Sequence, residues 1–477
     1  MRNRKQYREP EFIKDVQVTA AGAEGNAIAK IDERVVFIPF AAPGDVIDIK
    51  IIKSKKSFAE AQILEIKQKS EDRVEPKCEH FGVCGGCKWQ HLSYAAQLQF
   101  KQQQVIDNIE RIGNLSPETI YPIIACEKIF EYRNKLEYTF SAHRWLLPEE
   151  IHSDVALQGL PALGFHIPKY FDKVLDIKQC HLQAEPSNVI RLWVKKYALE
   201  HDFSFYNTRL HEGFLRNLII RNTIGRELMV IAVFAQNRKE ETETFLNLLR
   251  DQFPEITSLW WVVNEKLNDT ISDLQIDLFH GKAFLTEYLG ESEYRISPVS
   301  FFQTNSYQAL KLYSKVSEFA DFKGHETVYD LYTGTGSIAV FIAKQVVKVV
   351  GVEYVESAVE DARMNAKINQ AENTSFVAGD LAKVFTDEFV AQHGKPDVII
   401  TDPPRAGMHE KVIQQILKLL PEKIVYVSCN PASQARDLQL LSEKYILKSI
   451  QPIDMFPHTH HVENIALMVL KESANEI

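Results

Sequence analysis

Short apolar runs alternate with longer amphipathic stretches along the carboxyl-terminal third of the chain. Five of these runs are rich in β-branched residues, and they are, in order, T-V-Y-D-L, V-V-K-V-V-G-V-E, S-F-V-A-G-D, P-D-V-I-I-T-D and I-V-Y-V-S-C. Alternation of strand and helix is typical of a doubly wound, Rossmann-like α/β sheet. Two later runs, Y-I-L-K-S-I-Q-P-I-D-M-F and I-A-L-M-V-L-K, are expected to close this sheet as a terminal hairpin.

The first two thirds of the chain have a different pattern, in which short β-rich runs dominate. Residues 11 to 69 place several such runs at close spacing between glycine and proline turns, which predicts a small β-barrel. Further β-rich segments occur from about residue 121 to residue 290. These segments predict a separate central domain.

One amphipathic helix is predicted between the two β-rich regions, over residues 91 to about 113. Its apolar residues recur at helical spacing, and we expect them to pack against a core; they are Leu98, Val105, Ile109 and Ile112. The predicted fold is therefore multidomain. Its expected boundaries are 1–72 for the barrel, 73–90 with 120–290 for the central β-rich domain, and 91–119 with 291–477 for the doubly wound domain.

The composition indicates a globular enzyme or RNA-handling protein. The chain has 477 residues, of which 45% are hydrophobic and 25% are charged. No apolar run has the length of a membrane span, and the first residues lack the apolar core of a signal peptide. We therefore expect a cytoplasmic, monomeric protein with no membrane partner. Six cysteines in such a chain argue against a disulfide framework.

The charge is distributed unevenly along the chain. The net charge is −9, but residues 1 to 70 carry 13 Lys and Arg against 10 Asp and Glu, a balance of +3 that leaves −12 for the rest. This asymmetry allows a basic contact surface at the amino end. The candidate residues are Lys50, Lys53, Lys55 and Lys56, for which a solvated charged face is the alternative interpretation.

A cysteine segment follows the predicted barrel. Cys78, Cys84 and Cys87 are separated by five and two residues around a Gly-Gly pair, and Cys180 is the best candidate for a fourth metal ligand. Four thiolates suit structural zinc or an iron–sulfur cluster. Because zinc ribbons usually pair two C-x-x-C motifs, the spacing favours a four-iron cluster. Cys126, in Y-P-I-I-A-C-E, is expected in the core.

A nucleotide site is predicted at the first strand of the doubly wound domain. The turn Gly334-x-Gly336 follows Asp330 by four residues, and Glu353 ends the next strand, where it can accept from two ribose hydroxyls. Asp380 ends the third strand, where an adenine amine can donate to it. This turn and its acids, without an added phosphate clamp, favour S-adenosylmethionine over NAD.

The last two parallel strands carry the residues that suggest a reaction. Asp402 begins a D-P-P-R turn that is related to turns of base-amino methyltransferases, and Cys429 follows the next strand. A thiolate at Cys429 can add to C6 of a pyrimidine and make C5 nucleophilic. A base must then remove the C5 proton, and Glu463 is the candidate. A core cysteine and a surface glutamate are the alternative interpretations. The histidines at 458, 460 and 461 suggest a metal more weakly than the cysteine segment does.

These motifs occur together in one order, and the chain closely resembles the RNA uracil-5 methyltransferases. The resemblance runs from a start that looks like a TRAM domain, an OB-like RNA-binding module, to the final hairpin of a class I methyltransferase domain. It implies that Cys429 is the nucleophile and Glu463 the proton acceptor. It also implies S-adenosylmethionine contacts at Gln303, Tyr332, Glu353 and Asp402, and [4Fe–4S] ligands at Cys78, Cys84, Cys87 and Cys180.

The resemblance also implies a substrate. A TRAM domain together with a cluster points to the branch that methylates 23S ribosomal RNA, at a uridine splayed out of a loop. The alternatives are the same chemistry on transfer RNA or on two ribosomal uridines, a non-catalytic RNA-binding factor, and an NAD-dependent oxidoreductase. Tyr332 stands where many relatives have phenylalanine, a change expected to preserve stacking.

Overall fold

The first six strands form one sheet in the order β1–β5–β6–β4–β3–β2. Their bounds are β1 (Phe12–Gln17), β2 (Ala20–Ala21), β3 (Ala27–Ile31), β4 (Arg34–Ile38), β5 (Val46–Ser54) and β6 (Phe58–Gln68). Strand β1, at one end of this order, also contacts β3 near the other end, so the sheet curls into a small barrel. Alternate residues such as Ile47 and Ile49 are buried inside it. The predicted barrel is confirmed. The computed structural model describes residues 11–151 and 160–472.

The cysteine segment and one long helix follow the barrel. Trp89 is buried against the barrel, where its Nε1 donates to the carbonyl of Gly25 at 3.1 Å. Helix α1 (Tyr94–Arg111) begins after Ser93, whose hydroxyl accepts from the amide of Ala96. The short strand β7 (Thr119–Ile120) comes next.

The packing face of α1 differs in part from the expectation. Val105 and Ile109 are buried, but Leu98 is only half-buried and Ile112 is 45% exposed. Two polar residues, Gln97 and Lys101, are fully buried instead. They lie one turn apart on the face that meets the segment before the last strand, and their partners are described below.

The central domain is built on a seven-stranded sheet in the order β10–β9–β8–β11–β12–β13–β14. Its elements are β8 (Lys135–Ser141), α2 (Pro148–Ile151), β9 (Ala162–His166), β10 (Val174–Asp176), α3 (Ser187–Glu200), β11 (Leu215–Asn222), β12 (Leu228–Phe234), α4 (Lys239–Gln252), β13 (Ser258–Val263) and β14 (Asp277–Gly281). Strands β11 and β12 are almost wholly buried because α3 and α4 share a core with them. The predicted β-rich region is confirmed.

The last domain contains an eight-stranded sheet in the order β19–β18–β17–β20–β21–β23–β22–β7. Before it lie β15 (Leu285–Leu289), β16 (Ser292–Ile296) and α5 (Ser306–Ala320). The remaining elements are β17 (Thr327–Leu331), α6 (Ser337–Ile342), β18 (Lys348–Glu353), α7 (Glu356–Ile368), β19 (Thr374–Ala378), α8 (Leu381–Val384), α9 (Asp387–His393), β20 (Val398–Thr401), α10 (Glu410–Leu419), β21 (Lys423–Ser428), α11 (Pro431–Leu441), β22 (Tyr445–Ile453) and β23 (Glu463–Leu470).

The pairing within this sheet follows the predicted pattern. Strands β17 to β21 pair in parallel, and β22 and β23 form the antiparallel hairpin that closes the sheet. The hydrophobic pattern did not predict that β7 would add a further parallel strand beside β22. No helix within 11–151 or 160–472 is both long and apolar enough to cross a bilayer.

Candidate active site

The predicted site residues lie at one edge of the eight-stranded sheet. Parallel strands bring their carboxyl ends to the same edge, where open α/β sheets bind ligands. Each of the five parallel strands ends in or is followed by one of these residues, which are Tyr332, Glu353, Asp380, Asp402 and Cys429. From β17 the chain adds strands on one side of the sheet (β18 and β19), and from β20 it adds them on the other side (β21). The segments that follow β17 and β20 therefore run in opposite directions and leave a crevice between these two neighbouring strands.

The glycine turn lies at this crevice between β17 and α6. Gly334 and Gly336 have φ values of +56° and +72°, which favour glycine. The amide of Gly334 donates to Oε2 of Glu353 at 3.0 Å, while Oε1 of Glu353 accepts from the amide of Val355 at 2.9 Å. A side chain at Gly334 would meet nothing within 4 Å, so the space above the turn is open to a ligand. The turn and its acid fit a bound nucleoside.

Two carboxyl groups lie beside the turn. Burial raises the pKa of Asp330 to about 7, although the hydroxyl of Thr333 donates to its Oδ2 at 2.5 Å. Burial and the charge of Asp330 raise the pKa of Asp402 to about 7. The charge of Glu353 likewise disfavours ionisation of Asp330, so a cation bound beside these carboxyl groups would lower both pKa values. A sulfonium ion has this charge.

Gln303 and Tyr332 lie on segments that border the turn. The hydroxyl of Thr335 donates to the carbonyl of Phe301 at 3.3 Å, which joins the turn to the segment that holds Gln303. The carbonyl of Gln303 accepts from Nδ2 of Asn134 at 2.9 Å, so the central domain supports this segment. Tyr332 is half-buried, and the pKa of its hydroxyl is raised by burial.

Cys429 and Glu463 occupy neighbouring strands. Strand β21 ends at Ser428, which pairs in antiparallel register with Asn464 of β23. Cys429 is one residue after Ser428 and Glu463 is one residue before Asn464, so the antiparallel register brings Cys429 beside Glu463. Cys429 is half-buried and Glu463 is 5% exposed. The sheet therefore brings together a thiol and a carboxyl that lie far apart in the sequence.

Charges around this pair set its protonation. Burial, Glu463 and Asp402 raise the pKa of the Cys429 thiol to about 11, while Arg405 lowers it through its charge and a hydrogen bond. Burial and Asp402 raise the pKa of Glu463 to about 8, against the effect of Arg405. A carboxylate with a pKa near 8 is a stronger base than an ordinary one. The pair therefore combines a potential nucleophile with a strong carboxylate base.

A cleft of about 1250 Å³ extends from Cys429 to the cysteine segment. Among the described residues that line it, the Lys and Arg side chains far outnumber the carboxylates; they are Lys88, Arg133, Lys135, Lys169, Arg221 and Arg405, against Glu137. A polyanion can therefore be bound here even though the chain has a net charge of −9.

Comparisons with known proteins agree with this geometry. The tRNA (Uracil-5-)-methyltransferase family model matches residues 282–471, and the TRAM domain model matches residues 13–64. An uncharacterized RNA methyltransferase of Bacteroides thetaiotaomicron is 53% identical over 452 residues, which cover 94% of this chain and 100% of the relative. Another from Chlorobaculum tepidum is 41% identical, with 96% of each chain covered.

This chain belongs to the RNA uracil-5 methyltransferase family. The crystal structure of Pyrococcus abyssi tRNA (uracil-54, C5)-methyltransferase in complex with S-adenosyl-L-homocysteine is similar throughout, with 30% identity, a TM-score of 0.74, and coverage of 96% of this chain and 100% of that one. S-adenosylmethionine is the methyl donor of the family, and RNA is its substrate. This confirms the predicted TRAM domain, the predicted methyltransferase fold and S-adenosylmethionine as a cofactor, and it excludes the NAD-dependent alternative.

The four predicted cluster cysteines of this methyltransferase line the far end of the cleft. Burial raises the pKa of Cys84 to about 11 and that of Cys87 to about 12. Electrostatic repulsion from Cys78 and Cys180 raises both pKa values further. Within 11–151 and 160–472, no three His, Cys, Asp or Glu side chains lie close enough to hold a metal ion.

The remaining cysteine, Cys126, and one of the three histidines, His458, have structural surroundings. Cys126 is buried, as predicted, and its thiol donates to the carbonyl of Lys128 at 3.0 Å. The ring of His458 stacks on Phe130 with 4.3 Å between centroids. Burial lowers the pKa of His458 to about 4, so its imidazole is neutral at pH 7. This stacked, neutral ring serves packing.

The basic residues near the central strands divide into two kinds. Arg133 and Lys135 line the cleft. Arg216, by contrast, is only 1% exposed. Its guanidinium instead donates to three main-chain carbonyls and to Asp269, and the carbonyls belong to Asn264, Lys266 and Asn268. The guanidinium of Arg216 therefore stabilises the central domain and is not available to a ligand in the cleft.

Sequence reasoning missed the residues that hold the segment before Glu463. Lys101 and Asp454 are both 0% exposed and form an ion pair at 2.6 Å. Lys101 also donates to the carbonyl of Phe456 at 3.0 Å, and the side chain of Gln97 accepts from the amide of His458 at 2.8 Å. The signal in the sequence was a polar pair, four residues apart, within an otherwise apolar helix face.

The cysteine segment is joined to the same place. The amides of Lys88 and Trp89 donate to the carbonyl of His458 at 2.9 and 3.0 Å. Lys88 directly follows the cysteine at position 87. The segment that leads to Glu463 is therefore held by α1 on one side and by the cysteine segment on the other.

Proposed function

We propose that the protein methylates C5 of a uridine in 23S ribosomal RNA through a covalent bond between Cys429 and C6. The observation that carries the proposal is the register of β21 and β23, which sets Cys429 beside Glu463 at the cofactor edge of the sheet. Methylation of a base amino group needs no such nucleophile. A thiol paired with a buried carboxylate suits carbon methylation.

The proposed steps assign one task to each residue. Cys429 adds as a thiolate to C6, which turns the ring into an enolate with electron density at C5, and Arg405 stabilises the thiolate. Bound S-adenosylmethionine supplies an electrophilic methyl group to C5. Glu463 then removes the C5 proton, the C5–C6 double bond re-forms, and the C6–S bond breaks to release the Cys429 thiolate.

The residues proposed to hold the cofactor surround the glycine turn. Glu353 is fixed by two main-chain amides and is available to ribose hydroxyls, while Gln303, Tyr332 and Asp402 border the same space. Asp380 caps α8, where its Oδ1 accepts from the amide of Ala382 at 3.0 Å. Calorimetry with S-adenosyl-L-homocysteine tests this set: Glu353→Ala is expected to weaken binding at least tenfold through lost hydrogen bonds to a charged group. Unchanged affinity would remove Glu353 from the site.

Two variants test the proposed chemistry with purified RNA. Cys429→Ala is expected to form no 5-methyluridine, because C5 is not activated. Glu463→Gln is expected to accumulate a methylated protein–RNA adduct, because the C5 proton stays in place and the thiolate cannot leave. Mass spectrometry of nuclease-treated protein detects the adduct. Equal methylation by Cys429→Ala and the unaltered protein would contradict the covalent mechanism.

The choice of 23S ribosomal RNA rests on the resemblance, in which a TRAM domain together with a cysteine cluster points to that branch of the family. A transfer RNA uridine is the second candidate, because the similar Pyrococcus abyssi protein, matched over 96% of this chain, acts on tRNA uracil-54. Mapping 5-methyluridine in both RNAs from a deletion strain separates the two. We expect the loss of a site in 23S RNA; loss confined to transfer RNA would overturn this choice. We also propose that the protein is cytoplasmic and acts as a monomer. Light scattering of the purified protein would test the monomeric state.

A [4Fe–4S] cluster at Cys78, Cys84, Cys87 and Cys180 is part of the proposal. The proposal is supported by the position of the four cysteines, which line one end of the cleft, and by the mutual effects of their thiols on the pKa values of Cys84 and Cys87. Because the methylation transfers no net electrons, the cluster would serve structure. Analysis of iron, sulfide and zinc in anaerobically purified protein tests it, with four irons expected for each chain. Stoichiometric zinc without iron would contradict it.

A further inference from the structure

The hairpin between β9 and β10 presents two neighbouring aromatic side chains to solvent. We name residues 168–171, Pro-Lys-Tyr-Phe, the aromatic tip. Phe171 is 70% exposed and Tyr170 is 51% exposed. Both side chains line the cleft that contains Cys429. Adjacent large aromatics that face a charged cleft indicate a binding surface more strongly than single apolar residues scattered over a protein.

The backbone of the aromatic tip is held in one shape. The amide of Ile167 donates to the carbonyl of Lys173 at 2.9 Å, and the amide of Tyr170 donates to the carbonyl of Ile167 at 3.1 Å. The ring of Tyr170 also packs on Trp145, with 5.5 Å between centroids. The ring of Tyr170 and the backbone of the tip are therefore positioned before any ligand arrives, which reduces the entropy cost of stacking there.

The aromatic tip also packs against the cysteine segment. A Cβ atom placed on Gly85 would lie 3.2 Å from Cγ of Pro168 and 3.3 Å from the carbonyl oxygen of His166. Only glycine allows this approach without a shift of the hairpin. The fold of the cysteine segment therefore sets the position of the tip.

Lysines of the aromatic tip and of the barrel act on the same carboxylate. The pKa of Glu60 on β6 is lowered first by a hydrogen bond from Lys53, and the charges of Lys169 and Lys55 lower it further. Lys169 belongs to the tip, and the other two belong to the barrel. The charge of Lys169 at the tip therefore acts on the same carboxylate with which Lys53 of the barrel forms an ion pair at 2.5 Å.

We propose that the aromatic tip stacks with unpaired nucleobases next to the target uridine. Aromatic faces beside lysines match the stacked bases and phosphates of single-stranded RNA, and the surface is continuous with the cleft at Cys429. This proposal rests on the proposed uridine methylation. It adds the place where the flanking nucleotides lie, and it assigns Phe171 and Tyr170 to substrate binding.

Equilibrium binding of a labelled RNA loop tests the proposal without turnover. Phe171→Ala is expected to weaken RNA binding roughly tenfold to a hundredfold, because one stacking platform is lost. Phe171→Trp is expected to bind the RNA at least as tightly as the unaltered protein, because tryptophan offers a larger aromatic face than phenylalanine. Tyr288→Ala is the matched control, because Tyr288 is 54% exposed on β15 and does not line the cleft. Binding of S-adenosyl-L-homocysteine should be unchanged in all three variants.

The salt dependence separates stacking from charge. Phe171→Ala should leave the slope of log K against log salt unchanged, whereas Lys169→Ala should reduce its magnitude by about 0.7 for one lost phosphate contact on a single strand. If Phe171→Ala binds naked RNA as the unaltered protein does, the stacking proposal is wrong. A defect seen only with ribosomal particles would likewise overturn it and point to a protein partner. Failure of the unaltered protein to methylate any uridine would instead overturn the proposed function, which is a distinguishable result.

Discussion

Glu463 is a carboxyl group whose surroundings favour its protonated form. Burial and the nearby Asp402 raise its pKa to about 8. At neutral pH much of it is protonated, and the base form grows as the pH rises through 8. The step in which the C5 proton leaves should therefore speed up over the same range. Ionisation of Glu463, which the reaction requires, therefore lowers the free energy of unfolding of the protein.

The first prediction concerns the stability of Glu463→Gln. A carboxyl whose pKa is higher in the folded than in the unfolded protein loses stability as the pH rises between the two values, by about 1.4 kcal/mol for each pH unit. For Glu463 these values are 4.5 and about 8. We expect Glu463→Gln to raise the Tm by a few degrees at pH 8 and by little at pH 5, as measured by calorimetry. An equal effect at both pH values would contradict the raised pKa.

The second prediction concerns Arg405, which lies beside the Cys429 thiol and lowers its pKa. Removing this charge in Arg405→Gln should raise the thiol pKa further, so a smaller fraction is thiolate at pH 8. The rate of alkylation of Cys429 by iodoacetamide should then fall severalfold. Arg405→Lys is the control, because it keeps the positive charge. An unchanged rate in Arg405→Gln would mean that the guanidinium does not act on the thiol.

At the scale of secondary-structure elements, α1 is the support of the active site. It lies far from β23 in the sequence, yet Lys101 and Gln97 hold the segment that leads into that strand. An ion pair that is 0% exposed on both sides constrains the backbone around it, because neither charge has access to water. Helix α1 therefore fixes the position of the segment before β23, and with it the position of Glu463, the first residue of that strand.

The third prediction follows from this buried pair. Lys101→Met leaves Asp454 buried without its cation and should reduce the stability of the domain by about 3–5 kcal/mol. The double variant Lys101→Met with Asp454→Leu should recover much of that loss, since no charge stays unpaired. Urea unfolding measured for both variants tests the coupling. Equal losses in the single and double variants would show that the pair does not act as a unit.

Some elements were predictable from local pattern, and others were not. The five parallel strands have β-branched runs that mark them individually, and their carboxyl ends bring Glu353, Asp402 and Cys429 to one edge. Strand β7 has only two residues, and its place depends on β22, which is distant in the sequence. The burial of Arg216 and Lys101 likewise depends on partners from other segments. Local spacing carries no information about such pairings.

At the scale of the whole molecule, the cysteine segment is the junction of the three domains. Trp89 binds the barrel, Gly85 contacts the β9–β10 hairpin, and the amide of Lys88 binds the carbonyl of His458. A cluster at this junction would fix the barrel, the aromatic tip and the segment before Glu463 relative to one another. This gives the proposed cluster a structural task in methylation.

The fourth prediction tests this junction. Cys87→Ser should prevent a complete cluster and increase amide hydrogen exchange in residues 78–92 and 454–461, because the hydrogen bonds to the carbonyl of His458 loosen. Exchange in α10, which lies away from the junction, serves as the internal control. Binding of S-adenosyl-L-homocysteine should persist. Unchanged exchange in both segments would contradict a structural role for the cluster.

The most direct test of the central claim uses RNA in which the target uridine is replaced by 5-fluorouridine. Fluorine at C5 cannot leave as a proton, so Glu463 cannot complete the reaction and the bond to Cys429 should persist. With S-adenosylmethionine present, mass spectrometry should find a methylated 5-fluorouridine attached to the peptide that contains Cys429. Complete absence of the adduct, with ordinary methylation of the uridine RNA in parallel, would contradict the account.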